Sequence, residues 1–169
     1  MTGAVYPSGK ALARMMARFV EPEMLGPVIE LGPGTGPVTE ALIARGVPED
    51  RLLLVEFNPD FCRLLRKRFP RARVIEGDAY NLRSTLGSLG DEASAIVSSL
   101  PLMTRPEAER LALLRTGFAM LKPGCPFIQF TYATTSPMPL KSRDFAAHVS
   151  PRVWLNLPPA RVWVYRDTP

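Results

Sequence analysis

The run Glu30-Leu31-Gly32-Pro33-Gly34-Thr35-Gly36 constrains this chain more than any other stretch of it. It follows a short apolar segment, residues 28–31, introduced by Gly26-Pro27. It precedes residues 37–45, which read as a helix with Pro37 at its first position and Gly46 at its exit. Glycines at alternate positions let the backbone turn tightly from strand to helix and let a ligand come close to the main chain. The spacing excludes two common readings. A nicotinamide-type loop wants G-x-G-x-x-G, but position 37 is Pro. A P-loop wants Gly-Lys-Ser/Thr, which does not follow these glycines.

The pattern around this turn is a repeated alternation. Residues 8–20 read as a helix capped by Ser8, with Leu12, Met15, Met16, Phe19 and Val20 on one apolar face. Lys10, Arg14 and Arg18 line another face, suited to solvent or to a phosphate-rich partner. After the glycine run, residues 52–56 form a strand, and Asn58-Pro59 opens a helix ending near Phe69. Residues 73–76 are a third strand, 81–86 a short helix and 95–98 a fourth strand. Thr104 and Glu107 form a T-x-x-E capping box for a helix reaching about Leu121. Residues 126–132 are a fifth strand, 133–150 a polar loop, and 152–156 and 161–165 the last two strands, joined by 157–160. Alternation of this kind means a parallel sheet with helices on both faces. The short final connection requires an antiparallel pair. The expected fold is α/β, a doubly wound sheet ending in a hairpin, and at 169 residues it is read as one domain.

Candidate binding residues fall in register at the carboxyl ends of these strands, where open α/β sheets bind ligands. Glu56 ends the second strand about twenty residues beyond the last glycine, the place from which a carboxylate accepts both hydroxyls of a ribose. Asp78 follows Gly77 at the end of the third strand. It suits a turn, and it also suits an adenine amino group, with the Ala79 N–H donating to a ring nitrogen. Ser98-Ser99-Leu100-Pro101-Leu102 closes the fourth strand.

Composition narrows the classes. Hydrophobic residues at 46% and charged residues at 22% describe a globular chain able to bury a core without disulfides. Cys62 and Cys125 sit in apolar surroundings, which points to a reducing compartment, and no Cys/His cluster offers a zinc site. No apolar run reaches the roughly 18 residues of a membrane span, and no signal segment opens the chain. The net charge of +5 favours an anionic partner: nucleic acid, a phosphorylated substrate or a membrane surface.

With these residues in place, the chain resembles the class I S-adenosylmethionine-dependent methyltransferases. Glu30 to Gly36, Glu56, Gly77-Asp78-Ala79 and Lys122-Pro123-Gly124 carry the resemblance. Tyr6-Pro7-Ser8-Gly9, Val55-Glu56-Phe57-Asn58-Pro59 and Ser99-Leu100-Pro101-Leu102 bring it closer to the small bacterial phospholipid N-methyltransferases, themselves similar to rRNA adenine dimethyltransferases. The resemblance implies a Rossmann-like seven-stranded sheet of order 3-2-1-4-5-7-6 and S-adenosylmethionine as cofactor, with no metal. It implies that Gly32, Gly34 and Gly36 make room for the cofactor and that Glu30 orients the loop or the bound amino group. Glu56 would bind the ribose, Phe57 would lie against the adenine, and Gly77, Asp78 and Ala79 would read its edge beside Ser98. Tyr6 and Ser8 would form a lid within an N-terminal segment, residues 1–20.

The implied reaction is methylation of phosphatidylethanolamine through mono- and dimethyl forms to phosphatidylcholine. The alternative is an rRNA adenine N6-methyltransferase. In the related adenine enzymes an Asn-Leu-Pro-Tyr or Asp-Pro-Pro-Tyr segment directs the amine. Here Ser99 stands for the Asn/Asp and Leu102 for the aromatic, while the Leu100 carbonyl remains available. Without the aromatic, a flipped base has no stacking surface. His148 is the only histidine and the obvious base by residue type, placed in a loop; Tyr6 and Tyr132 compete with it, and Tyr6 is preferred. Lys141, Arg143, Arg152 and Arg161 are candidates for a lipid phosphate, and Trp154 and Trp163 are expected in the core. The expected setting is a cytoplasmic monomer at an anionic membrane surface, without nucleic acid. The resemblance also implies a basic amphipathic helix ahead of Tyr6, and the sequence begins only a few residues upstream. Binding through Lys10, Arg14, Arg18 and residues 141–152 is then expected to be weak and salt-sensitive.

Overall fold

The computed structural model describes residues 9–141, 144–156 and 158–169. Helix α1 (Lys10–Arg18) precedes β1 (Val28–Leu31), α2 (Pro37–Arg45), β2 (Leu52–Glu56), α3 (Pro59–Arg68) and β3 (Arg73–Glu76). Then come α4 (Leu82–Leu86), β4 (Ala95–Ser98), α5 (Glu107–Met120), β5 (Phe127–Thr131), β6 (Phe145–Val149) and β7 (Arg161–Asp167). The seven strands form one sheet of order β3-β2-β1-β4-β5-β7-β6. The first five are parallel, and β7 runs antiparallel between β5 and β6. The carboxyl ends of β1 to β5 therefore share one edge with the start of β7.

Burial follows the pleat, with alternate side chains on opposite faces. Val28, Leu52, Leu54, Ile128, Val162 and Val164 pack under α1, α2 and α3. Ile29, Leu53, Val55, Ile96, Phe127 and Tyr165 pack under α4 and α5. On α1, Leu12 and Met16 are fully buried while Lys10, Arg14 and Arg18 face outward, as their spacing requires. The predicted cap Ser8 lies outside the described residues. Asn58 caps α3, its side chain accepting from the N–H groups of Asp60 (2.8 Å) and Phe61 (3.3 Å).

Three local expectations are corrected. The Thr104/Glu107 capping box does not form: α5 begins after Pro106 with no side-chain cap. Proline disfavours helical backbone in the residue before it. Arg105 is accordingly extended, and Thr104 Oγ1 donates instead to the Pro101 carbonyl at 2.6 Å. The hairpin strand placed at 152–156 is in fact β6, at 145–149, inside the segment read as a loop. Residues 152–156 contribute only a bridge between Val153 and Ala160, because Pro158 and Pro159 have no N–H with which to extend a ladder. Finally, Trp163 is buried but Trp154 is 72% exposed.

Candidate active site

The glycine run leaves β1 and turns over the end of β2. Gly32, Gly34 and Gly36 all have positive φ (70°, 58° and 101°), which accounts for their residue type. A Cβ at Gly36 would come within 2.7 Å of the Phe69 ring, whereas one at Gly34 would meet nothing within 4 Å. The middle glycine thus borders open space. From α3, Arg68 donates to the Thr35 carbonyl and pairs with Glu40, which ties the loop down from outside.

Glu56 ends β2 against this loop. Its Oε1 accepts from the Gly34 N–H and its Oε2 from the Asn58 N–H, both at 2.9 Å. These bonds hold the carboxylate in one orientation, and each oxygen keeps a further acceptor position. A cavity of about 260 Å³ opens there, lined by Gly32, Glu56, Phe57, Asp78, Ala79 and Leu100 among others. Phe57 stands at its rim, 75% exposed. Asp78 accepts from the Tyr80 N–H at 2.9 Å, the bond a turn aspartate makes, and lies at the cavity wall as well. Gly77 is required because a Cβ would sit 2.6 Å from Thr85 Cγ2.

Sequence reasoning missed two residues here. Arg105 lies 4.0 Å from the centre of the Tyr80 ring, and both line the cavity. Burial pushes the Tyr80 phenol up, against the pull of the Arg105 charge. Nothing in the local sequence pairs residues 80 and 105; the packing of α5 against the turn after β3 brings them together.

Glu30 is completely buried beneath the loop. Its Oε2 accepts from Thr39 Oγ1 at 2.6 Å, and its Oε1 has no partner. Burial, reinforced by the Glu56 charge and opposed by the Thr39 hydrogen bond, pushes its pKa up to about 8. A buried, unpartnered carboxyl oxygen beneath an open glycine loop fits a cationic group or a bridging water. Together with the Glu56 carboxylate and the space beside Gly34, it fits the amino acid and ribose parts of S-adenosylmethionine.

At the end of β4, Ser98 is fully buried and its Oγ accepts from the Leu100 N–H at 3.3 Å. Ser99 Oγ is buried without a partner. The Leu100 carbonyl, expected to remain available, accepts from Gln129 Nε2 at 2.8 Å and from the Leu102 N–H at 2.9 Å, which together fill its two acceptor positions; the first comes from a β5 side chain that the local sequence does not point to. Leu102 is 2% exposed and packs into the core.

The remaining candidates scatter. His148 is on the edge strand β6 rather than in a loop, with its ring against Phe19 at 6.0 Å. Four strand spacings, roughly 19 Å, separate β6 from β1. The structure does not bring His148 to the cavity. Tyr132 follows β5, 41% exposed, with its ring edge-on to Phe130 at 5.2 Å. Arg161 begins β7 opposite Thr131 at the same edge of the sheet. Arg152 lies over the Trp154 ring at 5.4 Å. Lys141 is exposed in the connection leading to β6, away from the residues lining the cavity. Tyr6, Ser8 and Arg143 lie outside the described residues. A larger, open cleft of about 670 Å³, edged by Arg66, Arg71 and Arg73, lies where β2 and β3 begin, and it shares no residue with the glycine-loop cavity.

A protein-family model described as a methyltransferase domain matches residues 28–124, from β1 to the turn before β5. The chain is a class I S-adenosylmethionine-dependent methyltransferase. This methyltransferase is 36% identical to the ornithine lipid N-methyltransferase of Singulisphaera acidiphila, over 95% of this chain and 85% of that protein. It is 31% identical to ribosomal RNA small subunit methyltransferase A of Anaeromyxobacter dehalogenans over 83% of this chain, but spans only 41% of that protein. In fold it is similar to TrmN from Thermus thermophilus, with a TM-score of 0.70 and 21% identity over 94% of this chain and 49% of that one. No helix among the described residues is long and apolar enough to cross a membrane.

Proposed function

We propose that this methyltransferase methylates the primary amine of a membrane-lipid head group. The end of β4 carries the reading. Leu102 there is sealed in the core and cannot stack a base, while Ser99 Oγ is buried and the Leu100 carbonyl already accepts from Gln129 Nε2 and the Leu102 N–H. An alkyl amine needs no aromatic platform, whereas a flipped adenine does. Near-complete alignment with an ornithine lipid N-methyltransferase supports the same choice. An ornithine lipid is therefore the first acceptor to test, with phosphatidylethanolamine, whose successive methylation leads to phosphatidylcholine, as the second.

S-adenosylmethionine, when bound, supplies an electrophilic methyl carbon on a sulfonium. The residues that would hold it are Glu56 at the ribose, Phe57 at the adenine face, Asp78 and Ala79 at the adenine edge, and Glu30 with Gly32, Gly34 and Gly36 at the amino acid end. Tyr6 and Ser8 would close over it. The amine must shed a proton before it can attack. The turn at Ser99 and Leu100 would place the amine so that its lone pair points at the methyl carbon, which is the orienting role that dominates an in-line displacement. Gln129 keeps the Leu100 carbonyl in place. Tyr6 is the preferred proton acceptor.

The test is incubation with methyl-labelled cofactor and, separately, ornithine lipid, phosphatidylethanolamine or small-subunit rRNA. Label in either lipid is expected; label confined to rRNA would reverse the assignment.

A further inference from the structure

Leu155 is 88% exposed, the most exposed large apolar side chain among the described residues, and its neighbour Trp154 is 72% exposed. They form the tip of the β6–β7 connection. The tip is held rather than loose. Val153 is buried, its N–H donates to the Ala160 carbonyl at 2.6 Å, and the Ala160 N–H returns to the Val153 carbonyl at 3.3 Å. Asn156 is 3% exposed; its Nδ2 donates to the Pro158 carbonyl at 2.8 Å and its Oδ1 accepts from the Gly9 N–H at 2.9 Å. The latter contact requires glycine, since a Cβ at Gly9 would lie 2.7 Å from that oxygen. The two residues between these anchors point into solvent.

The tip also has a definite place. Ala160 leads directly into Arg161, which pairs with Thr131 at the end of β5. Trp154 and Leu155 therefore project from the edge of the sheet that carries the glycine loop, Glu56 and the end of β4. Their surroundings are basic. The Arg152 guanidinium lies over the Trp154 ring, and Lys10 adjoins Gly9 at the start of α1, which presents Arg14 and Arg18 outward. Neither residues 1–20 nor residues 145–166 contain an aspartate or glutamate.

We infer that the Trp154-Leu155 tip is a wedge that enters the surface of an anionic lipid bilayer and docks the catalytic edge of the protein against it. Tryptophan partitions to the lipid–water interface because its ring is apolar and its N–H is polar, and leucine reaches beyond it. Flanking arginine and lysine meet anionic head groups. Two side chains are too few for a specific protein partner, which covers about 800 Å² on each side. The inference rests on the lipid reading of the active site and adds the means of reaching that substrate. It also adds an apolar, salt-resistant component to binding that a basic stripe alone would lose in salt.

The full chain, Trp154→Ser, Leu155→Ser and the double variant are sedimented with phosphatidylglycerol/phosphatidylcholine vesicles at low and high salt. The expected result is roughly tenfold weaker partition for each substitution, the scale of exposing one large apolar side chain. Binding by the double variant should disappear at high salt, while the parent chain keeps a measurable fraction. Tryptophan emission should shift to the blue on vesicle addition and be quenched by brominated acyl chains in the parent and Leu155→Ser but not in Trp154→Ser, since Trp163 is buried in every case. Turnover on vesicles should fall about tenfold in the double variant, with turnover in detergent micelles and S-adenosylhomocysteine affinity unchanged. Unaltered partition, absence of quenching, or a concentration-dependent dimer abolished by these substitutions would overturn the wedge. Partition does not require turnover, so insertion without lipid methylation would refute the substrate reading alone. Lipid methylation with partition indifferent to residues 154 and 155 would refute the wedge alone.

Discussion

The half of the sheet built from β1, β2 and β3 and the half built from β5, β7 and β6 meet the same ligand edge but reach it differently. In the first, each strand leads within a few residues into the group that lines the cavity: β1 into Gly32, β2 into Glu56 and Phe57, β3 into Asp78. In the second, the groups at that edge come from distant segments. Arg161 is positioned by Thr131 and Asn156 by Gly9, while the Leu100 carbonyl just after β4 takes one of its two hydrogen bonds from Gln129 of β5. Local chain geometry builds the proposed cofactor site, and long-range packing builds the proposed acceptor side. Changes in the first half should therefore act on cofactor binding, and changes in the second on turnover or membrane encounter.

The largest effect is expected at Glu56. Glu56→Ala removes both proposed ribose bonds, each worth roughly 1.5–3 kcal/mol when charge-assisted, and frees the Gly34 and Asn58 N–H groups. S-adenosylhomocysteine affinity measured by calorimetry should fall at least tenfold; unchanged affinity would remove the cofactor role from this half.

Glu30 comes next, through pH. The unfolded chain releases this proton near 4.5, whereas the folded protein holds it to about pH 8. The folded state thus binds the extra proton across that window, and stability without cofactor should decline as pH rises from 4.5 through 8. The decline is of order 3–5 kcal/mol in total. Glu30→Gln should flatten this dependence and raise the melting temperature at pH 8 while weakening cofactor binding. A melting profile against pH with the same slope in both proteins would refute the buried-acid account.

On the acceptor side, Gln129→Leu keeps the volume but removes one of the two hydrogen bonds that hold the Leu100 carbonyl. Turnover should drop about tenfold, the scale of one misplaced hydrogen-bonding group, with cofactor affinity within twofold. A matching loss of affinity would mean that the two halves are not separable. The smallest effect is expected at His148. His148→Ala should leave turnover within about twofold, since His148 lies on an edge strand away from the cavity and its ring contact among the described residues is with Phe19. Tyr6→Phe should be the more damaging change, and the reverse order would restore histidine as the base.

The strand–helix alternation, the glycine loop, Asn58-Pro59 and the places of Glu56 and Asp78 were legible because each depends on residues within a turn of one another, whereas the sheet order, a long-range property, came with the family resemblance. The hairpin was not. Phe145-Ala-Ala-His-Val lacks the alternation of a half-buried strand, since Ala146, Ala147 and His148 all remain exposed. An edge strand needs only backbone pairing to its neighbour, and that pairing leaves no side-chain signature. The Trp154 expectation failed for a related reason. Its apolar neighbour Val153 is buried, and only the Val153–Ala160 bridge decides which of the two faces inward.

What the sequence determined by itself was the chain's alternation of strand and helix and the chemistry offered where strands end. Propensity, capping and glycine conformation act over a few residues. What only the tertiary structure decided was which of those groups are desolvated and which are presented. Glu30 is a strand-end carboxylate in sequence, yet burial under the loop, with one oxygen unpartnered, makes it an acid that titrates near 8. Trp154 and Leu155 are apolar in sequence, yet the bonds of Asn156 and Val153 turn them outward. Solvation depends on every element packed around a group, most of them far away along the chain, and no local pattern encodes it.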